Sequence, residues 1–363
     1  MSRLLARFDL ARPEFRLQAQ LDLPAQGVTA VFGRSGSGKT TLLRCLAGLE
    51  RSPAGFMSMG GTVWQDEEQG AFIPVYRRAL GMVFQEPHLF SHLSVHANLH
   101  YGLKRTPQHE RYISTEQVID ILGISHLMDR RPHQLSLGEQ QRIAIGRALL
   151  ASPRLLLMDE PLASLDRPRK QEILPFIQRL CVELKIPVVY VSHSIQEILQ
   201  LADTLVLMNE GASIAAGPIQ EIFSRLDLPH YLGDMAGSVV DTRVAGHEPE
   251  YGLTRLEFHG SQLYVPLQPL NIGQPLRVHI LARNVSLAAA PLSEPISVLN
   301  VIEARVTEIG SALEDRHSVD IRLDAGCPLL ASITRKSLAM LGLVPGQRVY
   351  AYIKAVSLSQ EWG

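Results

Sequence analysis

Two patterns of apolar residues alternate along the first part of the chain: short unbroken runs, and stretches in which apolar residues return every three or four positions. From Val28 to Phe32 an apolar run ends at Gly33, and after Thr40 the residues Leu42, Leu46 and Leu49 recur at helical spacing. That order predicts strand, glycine loop, helix. Leu155 to Met158 and Val188 to Val191 are further short aliphatic runs, each passing into polar residues, as buried strands of a parallel sheet do. Between them Ile173, Leu174, Ile177, Leu180, Cys181 and Leu184 mark a helix, with Pro168 near its start and Pro187 beyond its end. The alternation predicts a layered α/β domain.

From residue 86 to 135 the pattern is helical, with many histidines and few β-branched runs, which predicts a helical insertion between two strands, about 86–150. A helix over Glu139 to Ala151 closes it. After roughly residue 225 short alternating segments dominate, with turn signals at Asn271-Ile-Gly, Asp324-Ala-Gly and Val344-Pro-Gly. A small all-β region is expected there, with the domain boundary near residue 230. Within it Arg277-Val-His-Ile-Leu-Ala-Arg-Asn-Val-Ser-Leu matches Arg348-Val-Tyr-Ala-Tyr-Ile-Lys-Ala-Val-Ser-Leu in register. The repeat predicts two related β modules, 231–290 and 291–363.

Composition narrows the class of function. A chain of 363 residues exceeds the usual size of one core, so two or three domains are expected. Lys and Arg number 35 against 36 Asp and Glu, so no global field draws the chain to nucleic acid or anionic lipid, and no nucleic-acid partner is expected. Cys45, Cys181 and Cys327 are widely spaced with no CxxC pair, which argues against a disulfide framework or zinc ribbon and fits a reducing cytoplasm. Charges interrupt the N-terminal apolar residues, and no run approaches the roughly 18 residues that span a bilayer, so the chain is expected to be soluble by itself.

Residues 33 to 40 read Gly-Arg-Ser-Gly-Ser-Gly-Lys-Thr. Gly33, Gly36 and Gly38 free the backbone so that successive N–H groups converge on phosphate oxygens at a helix N-terminus. Lys39 then supplies charge to the β and γ phosphates, and the Thr40 hydroxyl suits Mg²⁺. Arg34, Ser35, Ser37 and Thr41 complete the expected ATP-binding loop. The run ending Asp159-Glu160 puts two carboxylates at the C-terminal end of a buried strand, where open α/β sheets place their ligands. Asp159 is expected to hold Mg²⁺, and Glu160 to orient and deprotonate the attacking water. His193 follows the strand Val188 to Ser192, so parallel topology brings it to the same edge as a γ-phosphate contact.

The loop, Leu135-Ser-Leu-Gly-Glu-Gln-Gln-Arg, the Asp-Glu strand, Ser164-Leu-Asp and His193, in that order, resemble ABC-transporter nucleotide-binding subunits over about residues 1–230. The resemblance implies a homodimer in which Ser136, Gly138 and Glu139 of one chain face the ATP held by the other. It implies that Gln85 senses Mg²⁺ and the attacking water, that Asp166 bridges the two subunits, and that His88 to Tyr101 meets a membrane subunit. Leu137 stands where that family usually has glycine, a side chain that would crowd the closed dimer. Its usual adenine-stacking aromatic falls near Leu10, with Phe8 and Phe15 as neighbours, and base stacking is left unassigned.

Ser297-Val-Leu-Asn, Ala331-Ser-Ile-Thr-Arg, Leu341-Gly-Leu-Val-Pro-Gly and Ile353-Lys-Ala-Val-Ser-Leu resemble the small oligobinding β-barrel domains of molybdate-related proteins. Ser297 and Lys354 would offer a hydroxyl and a cation to a tetrahedral oxyanion, although Leu299 replaces the arginine of the related motif. Anion binding and a purely dimerising or regulatory barrel both stay open. The whole order is similar to ATPase subunits of molybdate importers. That implies ATP hydrolysis at the cytoplasmic face of a bacterial inner membrane, driving molybdate or tungstate through a separate integral-membrane permease fed by an external binding protein. An importer ATPase for sulfate, sugar, polyamine or iron shares a C-terminal β region, but the barrel motifs disfavour it. A soluble oxyanion sensor or store is disfavoured by the complete set of ATP motifs.

Overall fold

The computed structural model describes residues 2–13, 15–310 and 317–355, the side chain of Asp234 excepted. The chain forms two units, residues 1–217 and 218–363.

The first unit runs β1 (Arg3–Arg12), β2 (Phe15–Pro24), β3 (Val28–Phe32), α1 (Lys39–Ala47), β4 (Phe56–Met59), β5 (Thr62–Asp66), β6 (Ala71–Phe72), β7 (Leu80–Val83), α2 (Val95–Leu103), α3 (Thr115–Leu122), α4 (Leu137–Leu149), β8 (Leu155–Asp159), α5 (Arg167–Leu184), β9 (Val188–Val191), α6 (Ile195–Leu201), β10 (Thr204–Asn209) and β11 (Ala212–Pro218). Its strands form one sheet in the order β6-β5-β4-β1-β2-β11-β10-β3-β9-β8-β7. The segment β10-β3-β9-β8-β7 is parallel throughout.

These parallel strands read as unbroken apolar runs because both faces are covered. Leu155, Leu157, Val189 and Val191 share one core with Leu42, Leu43 and Leu46 of α1. The intervening Leu156, Met158, Val188 and Tyr190 share another with Ile143 of α4 and Ile173 and Ile177 of α5. The expected helical insertion is α2 to α4, between β7 and β8. Its last helix starts at Leu137 rather than Glu139, because Ser136 caps it. The antiparallel arm of β1, β2 and β4 to β6 was not anticipated. Its signal is alternation: Leu4, Ala6 and Phe8 are buried between exposed Arg3, Leu5 and Arg7, so β1 covers the core with one face.

The second unit runs α7 (Ile219–Phe223), α8 (Pro229–Leu232), β12 (Gly237–Glu248), β13 (Leu253–Phe258), β14 (Ser261–Pro266), β15 (Pro275–Leu281), β16 (Val285–Ala288), β17 (Asn300–Ile309), β18 (Ser318–Asp324), β19 (Pro328–Thr334), α9 (Arg335–Leu341) and β20 (Arg348–Ile353). The sheets are β14-β13-β12-β15 and β16-β20-β17-β18-β19. The three turn signals hold: Gly273, Gly326 and Gly346 have φ of 83°, 82° and 88°, a region open chiefly to glycine.

The expected boundary near 230 needs correction. The chain divides at 217/218 rather than near 230, because α7 fastens to the β unit. Phe223 is fully buried with its ring edge-on to His279 of β15, centroids 5.2 Å apart, and Gln220 Nε2 donates to Asp241 of β12 at 2.8 Å. The two sheets follow the expected modules 231–290 and 291–363 except at β16, and the modules share a core. After the turn at Ala282–Asn284, β16 crosses to pair with β20, and one core holds Val278 and Ile280 together with Ile302, Val349 and Ile353. The repeated segments take different places: β15 pairs with β12, whereas β20 lies between β16 and β17. Residues 356–358 of the second copy fall outside the described residues.

Candidate active site

Parallel register brings the chemistry to one edge of the sheet. Val191 pairs with both Val31 and Asp159, so the turns that come after β3, β8 and β9 begin at the same level. The loop from Gly33 to Gly38 leads into α1, with Arg34, Ser35 and Gly36 exposed and Ser37 and Lys39 buried. Its glycines are required by geometry. A Cβ on Gly33 would lie 2.3 Å from the Met208 carbonyl and 2.6 Å from Ser37 Oγ, and Gly36 and Gly38 take φ of 79° and 92°. Lys39 Nζ donates to the carbonyls of Gly33 and Arg34, each at 2.9 Å, so the ammonium is held inside the loop. Burial lowers its pKa, against the pull of Glu160 and Asp159.

Thr40 Oγ1 donates to Asp159 Oδ1 at 3.2 Å. Burial raises the Asp159 pKa despite that bond, and the neighbouring Glu160 carboxylate pushes it the same way. Glu160, one residue past β8, has φ of 44°, a strained value for a non-glycine residue. Its backbone N–H donates to the Val191 carbonyl at 3.0 Å, which holds the turn, and Oε2 lies 3.2 Å from His193 Nδ1. Glu160 and His193 therefore meet, as their register predicts. Gln85 is exposed two residues after β7.

Two hard oxygens converging on a phosphate-type loop suit Mg²⁺, which uses few protein ligands beside substrate phosphates. The Ser37 hydroxyl is buried with no hydrogen-bond partner among the described residues, which fits a loop built around a ligand that supplies one. Of the aromatic neighbours considered for the base, Phe8 is 1% exposed and belongs to the core. Phe15 instead reaches the loop, where a Cβ on Gly38 would lie 2.9 Å from its ring.

The Leu135-Ser-Leu-Gly-Glu segment forms the start of α4 as a capping box. The Ser136 hydroxyl accepts from the Glu139 N–H at 3.3 Å, and Glu139 Oε2 accepts from the Ser136 N–H at 2.7 Å and hydroxyl at 2.9 Å. Burial would raise the Glu139 pKa, but these bonds, with Arg130 and Arg142, hold it below the usual range. Gly138 is buried against Ile173, and Leu137 is half-buried on the same core. Asp166 caps α5, accepting from the Arg169 N–H at 3.1 Å.

Two residues of α4, Gln141 within the quoted motif and Arg147 beyond it, were given no role by sequence and link the helix to the segment after β7. Gln141 Nε2 donates to the Phe84 carbonyl at 3.1 Å, beside Gln85. The Arg147 guanidinium donates to the carbonyls of Pro87 at 3.2 Å and His88 at 2.8 Å and lies over the Phe90 ring. Their helical spacing, six residues apart, gave no sign of a shared target.

In the second unit Ser297 is exposed before β17 and Lys354 is exposed directly after β20. Asn300 opposite Ile353 puts both at the same end of that strand pair. Asn300 itself accepts from the Tyr264 N–H at 2.6 Å and donates to its carbonyl at 2.9 Å, stitching β17 to β14.

Two separate stretches of the chain match known families. A family model described as ABC transporter matches residues 17–163, and one described as TOBE domain matches residues 296–360. The molybdenum import ATP-binding protein of Aromatoleum aromaticum is 54% identical over 97% of this chain and 93% of its own length. That of Azotobacter vinelandii is 51% identical over 97% and 98%, and that of Methylococcus capsulatus 50% identical over 99% and 100%. Among solved structures, cbiO1 of Clostridium perfringens, part of the ABC transporter complex cbiONQ, aligns with a TM-score of 0.53 at 25% identity, covering 63% of this chain and 93% of that one. The chain belongs to the molybdenum import ATP-binding protein family of ABC transporter ATPases.

Proposed function

We propose that this chain hydrolyses ATP to power molybdate import through a separate membrane permease. The observation that carries the reading is the convergence of Lys39, the Thr40–Asp159 pair and the Glu160–His193 pair at the ends of three parallel strands. Lys39 and the backbone N–H groups of residues 33 to 41 bind the β and γ phosphates. Thr40 and Asp159, with Gln85 from the segment after β7, would hold Mg²⁺, which when bound would supply positive charge to offset that of the phosphates. Glu160 orients the attacking water and accepts its proton, while His193 keeps Glu160 in place and contacts the γ-phosphate.

A site built at one edge of the sheet is open on its far side. At the N-terminus of α4 exposed Ser136, with half-buried Glu139 and the backbone at buried Gly138, completes it from a second copy, with Asp166 bridging the two, so the working state is a homodimer closed by ATP. The family supports a permease partner, and the segment His88 to Tyr101, fixed by Arg147, is the contact surface assigned to it. No helix among the described residues is long and apolar enough to cross a membrane, which suits a subunit held at the cytoplasmic face by that permease. Ser297 and Lys354 are assigned to a tetrahedral oxyanion at the barrel, so that internal molybdate reports to the motor; an external binding protein delivers it on the other side.

The test is reconstitution with the permease in vesicles and measurement of molybdate, tungstate and sulfate uptake against ATP. Molybdate uptake that depends on ATP and outruns sulfate is expected. Preferential sulfate uptake contradicts the substrate assignment.

A further inference from the structure

Glu197 on α6 is 2% exposed, the most deeply buried carboxylate among the described residues. A charge in that position is costly unless it is paired and fully hydrogen-bonded. Both of its oxygens are used, in different directions. Oε1 accepts from Lys170 Nζ at 2.9 Å. Oε2 accepts from the Tyr190 hydroxyl and from Ser192 Oγ, each at 2.8 Å. Burial and the adjacent Glu197 carboxylate raise the Tyr190 pKa well above the usual phenol range, so the phenol stays a donor.

The two directions lead to the two site segments. Lys170 lies in the first turn of α5, and its N–H donates to the carbonyl of the capping residue Asp166 at 3.0 Å. Ser192 Oγ, besides donating to Glu197, accepts from the Ser194 N–H at 2.9 Å, so one hydroxyl closes the turn that presents His193. His193 Nδ1 in turn lies 3.2 Å from Glu160 Oε2. A buried ion pair stabilises a fold weakly, and apolar residues of the same volume often do as well. What a hub with three donors gives instead is fixed geometry between the groups it joins.

We propose that Glu197 is a positioning residue for ATP turnover: its carboxylate ties the start of α5, with Asp166, to the turn that carries His193, so that the two segments move as one body. The inference rests on the role given to His193 above and deepens it. Asp166 belongs to the surface assigned to the second copy, and His193 contacts Glu160, so Glu197 makes the state of one surface felt at the other.

The test uses the full chain and reads kcat, KM and thermal unfolding separately. Glu197→Gln keeps the shape but cannot serve all its donors. It is expected to lower kcat about tenfold and leave KM within about twofold, the pattern of a lost transition-state interaction. In a His193→Gln background the same change is expected to cost no more than about twofold further, because residues acting through one another are not additive. Ser192→Ala cuts only the arm to His193, leaving the Lys170 pair intact. It is expected to lower kcat in the same sense, and it carries the test if Glu197→Gln does not fold. Unchanged kcat in Ser192→Ala and Glu197→Gln, a rise confined to KM, or a full tenfold loss in the His193→Gln background overturns the proposal. The two readings separate cleanly. Wild-type turnover in His193→Gln alone overturns the role of His193 and this inference with it, whereas impaired His193→Gln beside normal Glu197→Gln overturns this inference only.

Discussion

Asp159 and Lys39 carry their charges where burial resists them, and the direction of each shift fixes how stability depends on pH. The Asp159 pKa is raised above its ordinary 3.8, so the fold favours its neutral form. Its contribution to stability is full below the unfolded value and lost as pH rises through the folded one. The Lys39 pKa is lowered from 10.5, so its contribution is present above the unfolded value and lost as pH falls through the folded one. At neutral pH both ionised groups therefore weigh against the nucleotide-free fold. Asp159→Asn is expected to stabilise the nucleotide-free chain at pH 7 while turnover is lost, with the gain shrinking in acid. Thermal unfolding across pH reads this, and a variant less stable than the parent at pH 7 refutes it. Glu160→Gln separates binding from chemistry. It is expected to reduce turnover at least about a hundredfold, yet to retain ATP, measured as fluorescent-nucleotide affinity. Retained hydrolysis removes Glu160 from the role of base. Parallel topology of two buried runs placed Glu160 and His193 at the same sheet edge, because both follow the C-terminal ends of their strands. It could not show the φ of 44° at Glu160 or the ammonium of Lys39 turned onto its own loop, which depend on how the turns close.

At the scale of elements, the helices show where local preference and packing disagree. α5 carries Pro175 in its interior, where the ring removes a backbone donor and crowds the preceding turn. The helix persists because Pro175 is exposed while Ile173, Leu174, Ile177 and Leu180 hold the opposite face in the core. Pro175→Ala restores the missing bond and is expected to raise stability by about 1 to 3 kcal/mol, read from denaturant unfolding. A loss would mean that the freed Gln171 carbonyl is needed elsewhere. Periodicity identified α5 and α4 because apolar stripes dominate them, whereas the start of α4 depended on a cap. Ser136 and Glu139, three residues apart before an apolar run, were that signal, and it lay inside the motif read for its chemistry. Leu137 illustrates the same overlap. At the first position of α4 its side chain is half-buried on the core, so it has a packing role beside any effect on a closed dimer.

For the whole molecule, the α/β order and the glycine turns of the second unit were legible because each rests on near neighbours in sequence. The antiparallel arm of the first unit and the sharing of one core by both C-terminal sheets rest on distant pairings, such as β1 with β4 and β16 with β20, which periodicity does not specify. The boundary near 230 erred for a related reason: α7 reads as helix and so resembles the α/β unit before it, while its contacts lie with the β strands after it. Ile219, Ile222 and Phe223 are all buried, and fully burying an aliphatic or aromatic side chain contributes roughly 1.5 to 3 kcal/mol. Small β units have little stability to spare. A fragment of residues 218–363 is therefore expected to unfold cooperatively, with both sheets melting in one transition. A fragment of residues 231–363, lacking those three side chains and the Gln220–Asp241 bond, is expected to be destabilised by several kcal/mol, enough to leave it largely unfolded at 37 °C. Circular dichroism melts of the two fragments decide the matter. Equal melting temperatures would return α7 to the first unit, and two separate transitions in the longer fragment would split the shared core.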